Sequence, residues 1–247
     1  MRVGADRFRP TAPDDREGME ALQREIAAAA VFEDAIDFTP DAIRDGEALV
    51  AGIDQAFLGE RAVSAVVVLR GGEVVARAHA ITPLSMPYVP GLLAFREGEP
   101  IVAALETLDV EPDLLVFDGS GRIHYREAGL ATHVGSCFDA PAIGVTKNLL
   151  CGRPRDPTDG LAEGDRVAIE ADDSMTAPDG TVVGYAYQSR QYSESKRINP
   201  VYVSSGHRLS AATALECVIA CGGEYKLPRP TRLADRYADE LKREHGG

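Results

Sequence analysis

The stretch "VSAVVVLRGGEVVARAHAIT", residues 63–82, decides the fold of this chain. Two runs rich in valine and alanine flank Gly71-Gly72, and a Gly-Gly pair between two such runs is typical of a tight β-hairpin. A third run, "EALVAGIDQAF" at residues 47–57, precedes the hairpin and has a similar strand-like composition. We therefore predict a meander of three strands.

Helix-like and strand-like segments alternate after the meander. We predict helices over 100–108, 126–138, 208–221 and 230–243, a first helix over 18–30, and strands over 112–121, 140–146, 165–171, 181–190 and 200–205. A meander followed by such alternation indicates one α/β domain, with a mixed sheet flanked by helices. We expect residues 1–40 to form a loosely held lead-in and a helix.

The composition is strongly acidic, and this limits the choice of partners only weakly. The 247 residues carry a formal net charge of −13, and only four of the 26 basic residues are lysines. Abundant acids with scarce lysine resemble proteins from a salt-saturated cytoplasm, where charges are screened within a few ångströms. The acidity therefore does not exclude a nucleic-acid partner.

Membrane and zinc-binding roles find no support in the sequence. No apolar run approaches the ~18 residues of a membrane span, and the amino terminus lacks the apolar core of a signal peptide. We expect a cytoplasmic protein with no membrane partner. The four cysteines form no C-x-x-C pair, so we interpret them as reduced thiols rather than zinc ligands.

Three acidic residues interrupt or end apolar segments. Asp54 lies inside the first predicted strand, Glu97 lies between the meander and the next helix, and Asp118 ends the strand 112–121. Taken alone, Asp118 before a glycine is more often a turn former, and Glu97 is consistent with a solvated acid at a helix start. If the first and fourth strands are neighbours, however, the three carboxylates converge.

Converging carboxylates predict a hard divalent cation. They repel one another and raise each other's pKa unless a cation neutralises them. Oxygen ligands suit Mg²⁺, with Mn²⁺ as a substitute, and this combination supports metal-assisted hydrolysis of a phosphodiester. Lys147, after a buried strand, could hold a phosphate. His207, which we expect at a helix start, could transfer a proton or could equally be a capping or packing residue.

The segment "MPYVPGLLAFREGEP" at 86–100 combines a stiff loop with an acidic residue. Tyr88 stands between Pro87 and Pro90, and an apolar run leads directly to Glu97. The two prolines restrict the backbone and would hold an exposed aromatic ring with little entropy left to lose.

These segments together resemble the endonuclease V family, the deoxyinosine-directed repair nucleases. The blocks that carry the resemblance follow the family order over about 47–237: "VAGIDQAF", "PYVPGLLAFREGEP", "PDLLVFDGSGRIHYREAGLATHVG", "PAIGVTKNLLCG" and "NPVYVSSGHR" with "LPRPTRLADR". The resemblance implies a ribonuclease H-like catalytic domain over 41–247. With the scarcity of lysine, it points to a halophilic archaeon.

The resemblance also implies a role for each matching residue. Asp54, Glu97 and Asp118 match the metal-site acids, and Lys147 and His207 match active-site bases. The other matches are the wedge Tyr88, Pro90 and His124 as DNA-contacting positions, and Gly91, Leu93, Gly119 and Leu150 as the base pocket. Members use Mg²⁺ to hydrolyse the second phosphodiester bond 3′ to deoxyinosine, leaving 3′-hydroxyl and 5′-phosphate ends.

Two other functions compete with this hypothesis. The same fold could act on inosine in RNA, or on mismatched or branched DNA. A catalytically silent nucleic-acid-binding module is disfavoured because the three acids, the lysine and the histidine are all present. We expect a monomer with inosine-containing DNA as its partner.

Overall fold

The computed structural model of the chain describes residues 1–13, 15–191 and 198–246. A short 3-10 turn at Asp6–Phe8 precedes the first helix. The helices are Arg16–Ala29 (α1), Pro40–Asp45 (α2), Leu93–Glu106 (α3), Leu130–Phe138 (α4), Ala211–Cys221 (α5) and Arg229–His245 (α6). The strands are Leu49–Leu58 (β1), Arg61–Arg70 (β2), Glu73–Pro83 (β3), Leu114–Asp118 (β4), Ala142–Thr146 (β5), Arg153–Pro154 (β6), Arg166–Glu170 (β7), Val182–Tyr187 (β8) and Val201–His207 (β9).

The described residues form one nine-stranded mixed sheet with the order β3-β2-β1-β4-β5-β9-β8-β7-β6. The predicted meander is confirmed, because β2 pairs antiparallel with both β1 and β3. Gly71 and Gly72 have φ values of 55° and 84°. Two positive φ values in a two-residue loop match the twist of a tight hairpin, which is why glycine occupies both positions. The predicted α/β class with a mixed sheet is confirmed.

The centre of the sheet is parallel and therefore brings chain segments to a common edge. β1 pairs parallel with β4, and β4 pairs parallel with β5. The carboxyl ends of these three strands consequently lie side by side. Helices cover both faces: α1, α3 and α4 pack over one core cluster, and α2 and α5 pack over the other.

Helix α6 packs on β1 and β2, on the same face of the sheet as α2 and α5. A Cβ added at Gly52 of β1 would lie 2.1 Å from the carbonyl carbon of Pro230 in α6. Only a residue without a side chain allows the helix to approach the strand this closely. This contact fixes the position of the residues that follow Pro230.

The N-terminal segment is held firmly, so the prediction of a loose lead-in is wrong. The Met1 ammonium donates hydrogen bonds to the carbonyls of Leu105 and Leu108, at 3.3 and 3.0 Å. Phe8 and Ile26 are buried in the core cluster beneath α3 and α4. Polar composition concealed this anchoring because backbone groups and a few apolar side chains provide it.

Several predicted element bounds also need correction. α3 begins at Leu93 rather than 100, so Glu97 is inside the helix and Pro100 is an internal proline. Proline at a first helical position is common, which explains the late predicted start. His207 ends β9 instead of starting a helix. Within the described ranges, no helix is long and apolar enough to cross a membrane.

Candidate active site

Asp54 and Asp118 lie side by side at the carboxyl edge of the parallel strands. Ile53 of β1 is the register partner of Phe117 of β4, and each aspartate is the next residue along its strand. Adjacent strands are roughly 4.8 Å apart, and residues at matching register project to the same face. The parallel pairing therefore brings together two acids that are 64 positions apart, as the sequence predicted.

Lys147 reaches the same place from the next strand. Asp118 pairs with Val145 of β5, and Lys147 follows two residues later, on the same face by the two-residue strand period. Its Nζ lies 3.4 Å from Asp118 Oδ2. The lysine side chain is about half exposed, so it keeps donors free for an anionic ligand.

The electrostatics show that this cluster lacks positive charge. Burial, the charge of Asp118 and, more weakly, that of Asp235 raise the pKa of Asp54 to about 8, although a 2.7 Å hydrogen bond from the Gln55 amide opposes the rise. Burial raises the pKa of Asp118 too, and Lys147 offsets part of that rise. Repulsion between buried carboxylates is the situation that a bound cation relieves.

Glu97 approaches the cluster from α3, on the other face of the sheet. The Gln55 side chain donates from Nε2 to the Glu97 carbonyl at 3.0 Å and to Ser64 Oγ at 2.6 Å, which ties α3 to β1 and β2. Burial raises the pKa of Glu97 to about 7, Arg96 lowers it, and Asp118 raises it. The charge of Asp118 therefore acts on Glu97, as expected for acids at one site.

Asp235 of α6 is a fourth acid that the sequence analysis missed. Its charge raises the pKa of both Asp54 and Asp118. Arg232, one helical turn earlier, forms an ion pair with Asp235 and holds the side chain. The close approach of α6 to Gly52 brings Asp235 near Asp54 and Asp118. In sequence, Asp235 lies within the block "LPRPTRLADR" that contributes to the family resemblance, but "RLADRYADE" reads as an ordinary solvated helix face. The packing of α6 is what singles out Asp235.

His207 does not join this cluster, and that prediction is wrong. His207 pairs with Ala142 at the start of β5, whereas Thr146 at the end of β5 pairs with Tyr202. The strand between Ala142 and Thr146 is roughly 13 Å long, so His207 lies near the opposite edge of the sheet from Lys147.

The partners of His207 show a structural role instead. Its Nδ1 accepts a hydrogen bond from the Val31 amide at 3.2 Å, and its Nε2 donates to Asp139 Oδ1 at 3.1 Å. Burial lowers its pKa. The neutral ring thus joins β9 to the segments before α2 and after α4.

The donor set of the cluster fits a hard divalent cation. Across residues 1–13, 15–191 and 198–246, no three His, Cys, Asp or Glu side chains form a ready-made metal cage. Asp54, Glu97 and Asp118 are nevertheless largely buried and have raised pKa values. Among the described residues, Lys147 opposes this rise at the two aspartates and Arg96 opposes it at Glu97. Such oxygen donors suit Mg²⁺ or Mn²⁺ and not a soft metal.

The predicted wedge Tyr88 lies on a loop between β3 and α3, beside the helix that carries Glu97. Its side chain is 64% exposed, and its neighbour Pro90 is also exposed. Gly91 has φ +78°, and a Cβ there would lie 3.2 Å from the Tyr125 ring. The loop therefore presents an aromatic ring outward and requires glycine where it turns into α3.

His124 is not available for direct contact with nucleic acid, contrary to the prediction. It is 3% exposed, its Nδ1 accepts from the Arg126 amide at 3.2 Å, and its Nε2 donates to the Gly91 carbonyl at 3.1 Å. Burial lowers its pKa to about 4, so the ring is neutral. His124 thus supports from within the loop of residues 84–92 that carries Tyr88, which we call the wedge loop.

The other predicted pocket residues occupy different environments. Leu93 starts α3 and is partly buried, while Leu150 is 39% exposed after β5. Gly119 is buried beside Asp118, where a Cβ would lie 2.9 Å from Leu130 Cδ2. Gly119 thus lets the N-terminal turn of α4 pack against the end of β4, one residue from the acidic cluster.

Comparison with known proteins shows the family to which the chain belongs. A family model described as Endonuclease V matches residues 32–236. The chain belongs to the endonuclease V family. An endonuclease V of Natronomonas pharaonis is 71% identical over 246 residues, covering 100% of this chain and 99% of its own length. The corresponding protein of Halobacterium salinarum is 56% identical, covering 98% of this chain and 100% of its own.

Solved structures of endonuclease V share the fold. The enzyme of Streptomyces avermitilis is 33% identical, with a TM-score of 0.80, and covers 95% of this chain and 96% of its own. The Ciona intestinalis enzyme was solved with a 24mer DNA containing an inosine followed by a ribo-adenosine. It is 28% identical, with a TM-score of 0.75, over 93% of this chain and 98% of its own.

Family membership settles the broad activity and origin. As an endonuclease V, the protein is a metal-dependent endonuclease, a hydrolase with a ribonuclease H-like α/β fold. Its relatives among Natronomonas, Halobacterium and Haloarcula support a halophilic archaeal origin, as the acidic, lysine-poor composition indicated.

Proposed function

We propose that this endonuclease V recognises deoxyinosine in DNA and hydrolyses the second phosphodiester bond on its 3′ side. The carboxylate cluster at the edge of the parallel strands carries the proposal. The Ciona relative, solved with inosine-containing DNA, supports the choice of lesion. The products would have 3′-hydroxyl and 5′-phosphate ends.

Each side chain of the cluster has a separate task in this proposal. Asp54, Glu97 and Asp118 would hold a divalent cation, Mg²⁺ or Mn²⁺, which polarises the phosphodiester and makes water a better nucleophile. Lys147, half exposed beside Asp118, would bind a phosphate oxygen as a point charge. Asp235 takes the place that the sequence assigned to His207 and would orient the attacking water or accept its proton.

The loop before α3 would select the base. Tyr88 fills the gap left when inosine leaves the stack, and the exposed position of its ring is compatible with that role. Unstacking costs a few kcal/mol and costs less for a weak pair such as one with inosine. Gly91, Leu93, Gly119 and Leu150 are the proposed contacts for the extruded base. A cytoplasmic location and a monomeric state stay predictions.

The decisive experiment is cleavage of an end-labelled duplex with one deoxyinosine, run with Mg²⁺ in high salt. We expect a single cut at the second bond 3′ to the lesion and none in the matched adenosine duplex. Preferential cleavage of a ribo-inosine oligonucleotide would reassign the substrate to RNA. Equal cutting of both deoxy duplexes would contradict lesion recognition.

Asp118→Ala is the matched variant for this assay. We expect it to lose cleavage and keep binding to the inosine duplex in a gel-shift measurement. Identical behaviour of the variant and the parent would instead support the non-catalytic binding module.

A further inference from the structure

A buried glutamine of α1 contacts the segment that is proposed to read the base. Gln23 is fully buried, at 0% exposure, which is uncommon for a side-chain amide. Its Nε2 donates to the Gly91 carbonyl at 2.9 Å, and its Oε1 accepts from Arg126 Nε at 2.7 Å. Both ends of the amide are therefore bonded to segments distant in sequence.

The peptide unit that follows Gly91 is held at both of its polar atoms. Besides the glutamine amide, His124 Nε2 and Arg126 Nη2 donate to the Gly91 carbonyl, at 3.1 and 3.3 Å. The next amide, that of Leu92, donates to the Val89 carbonyl at 3.0 Å. A peptide plane fixed at its oxygen and at its nitrogen cannot rotate without breaking several hydrogen bonds.

This peptide lies between Tyr88 and the start of α3, so its orientation determines the direction in which the loop leaves the helix and therefore the position of Tyr88. The left-handed φ of +78° at Gly91 places the turn where a side chain would press on the Tyr125 ring. The Tyr125 ring therefore leaves little room for a side chain at Gly91, and the three hydrogen bonds fix the orientation of its carbonyl.

We propose that Gln23 is a positioning residue for base recognition, holding the Gly91 peptide so that the wedge loop has one conformation before DNA binds. The inference rests on the proposed function of this loop. Helix α1 lies outside the 32–236 range matched by the family model. Pre-ordering the loop reduces the entropy lost on binding and so improves affinity for the extruded base.

Gln23→Glu is the sharpest test, because it keeps the size of the side chain and the acceptor for Arg126 but removes the donor to Gly91. Ile26→Ala is the matched control, since Ile26 is equally buried on α1 and its side chain can make no hydrogen bond. For Gln23→Glu we expect kcat/KM on the deoxyinosine duplex to fall about tenfold, mainly through KM. For Ile26→Ala we expect no such change at a temperature where all proteins are folded.

An equal change of KM in both variants, or no change in Gln23→Glu, would overturn the proposal. Gln23→Asn, with a shorter side chain that keeps the donor, should recover part of the loss.

A second measurement needs neither metal nor DNA. The chain has no tryptophan, so Tyr88→Trp introduces a single tryptophan in the loop, which can be excited selectively over the tyrosines. Adding Gln23→Glu should lower its time-resolved anisotropy, whereas adding Ile26→Ala should not. Unchanged anisotropy would reject the loop-holding role. Failure of the parent enzyme to cut deoxyinosine DNA would reject the proposed function alone, because the anisotropy reports on Gln23 separately.

Discussion

The ionised carboxylates of Asp54 and Glu97 lower the free energy of unfolding of the metal-free protein at neutral and higher pH. In the folded chain the pKa of Asp54 is about 8 and that of Glu97 about 7, against 3.8 and 4.5 as ordinary values. A raised acid pKa means that the folded state binds the proton more tightly than the unfolded state does. Each acid therefore contributes most to the free energy of unfolding at low pH, where it is protonated in the folded state. This contribution is lost as pH rises from about 4 to about 8.

The metal-free protein should therefore lose stability as pH rises through neutrality. Its free energy of unfolding should fall as pH rises from about 6.5 to 8, because Asp54 and Glu97 lose protons while buried. Below that range the buried His124 and His133, whose pKa values are lowered by burial, oppose the trend. Mg²⁺ should restore more stability at pH 8 than at pH 5, since protonated acids bind it poorly. Chemical denaturation with and without EDTA measures both effects. A flat metal-free profile would contradict the raised pKa values.

Asp54→Asn should separate stability from activity. We expect it to abolish cleavage while raising metal-free stability at pH 8 by about 1–2 kcal/mol, because it removes one of two repelling charges. Thermal unfolding and the deoxyinosine assay together test this. Exposed Asp41 of α2 provides a control, and Asp41→Asn should change neither quantity.

Asp235 and His207 form a second contrasting pair. Asp235→Ala should reduce cleavage by at least about a hundredfold if it directs the attacking water. His207→Ala should keep the activity per folded molecule but lose about 1–3 kcal/mol of stability, since it removes a buried ring together with its hydrogen bonds to the Val31 amide and to Asp139. The reverse result would restore His207 to the active site.

Among the secondary-structure elements, the contact of α6 with β1 determines the position of Asp235. Gly52 has no room for a methyl group against Pro230. We predict that Gly52→Ala costs about 1–3 kcal/mol through overpacking and lowers activity as well, because α6 must shift. Gly59→Ala is a useful control, with φ +57° but open space around its Cβ; it should destabilise without affecting catalysis per folded molecule.

The sequence predicted the parts of the site that interrupt an apolar pattern. Asp54 and Asp118 stand out within apolar strands, and Lys147 is a rare lysine after one. Asp235 lies in a block that resembles the family, but the hydrophobic pattern did not single it out because its neighbours on α6 are charged too. His207 was misplaced because Ser204 and Ser205 resemble a turn. Both serines are buried within β9, where Ser204 accepts from the Gly121 amide and Ser205 donates to the Leu209 carbonyl.

For the molecule as a whole, the net charge of −13 predicts a dependence on salt. Self-repulsion among surface acids weakens when the screening length shrinks to about 3 Å near 1 M salt. The thermal midpoint should therefore rise steadily between dilute buffer and molar KCl, as differential scanning calorimetry can show. Highest stability in dilute buffer would contradict adaptation to high salt.

Helix α3 begins directly after the loop that we propose reads the base and carries Glu97 one turn later, and Gln55 ties the Glu97 carbonyl to β1. A helical turn is stiff, so if residues 88–93 contact the base as proposed, a change in their conformation is transmitted to Glu97. Engineers who seek a new base preference in this loop will consequently alter turnover in the same step. Libraries randomised there should be screened for product formation, because screening for affinity alone would enrich binders that have lost their chemistry.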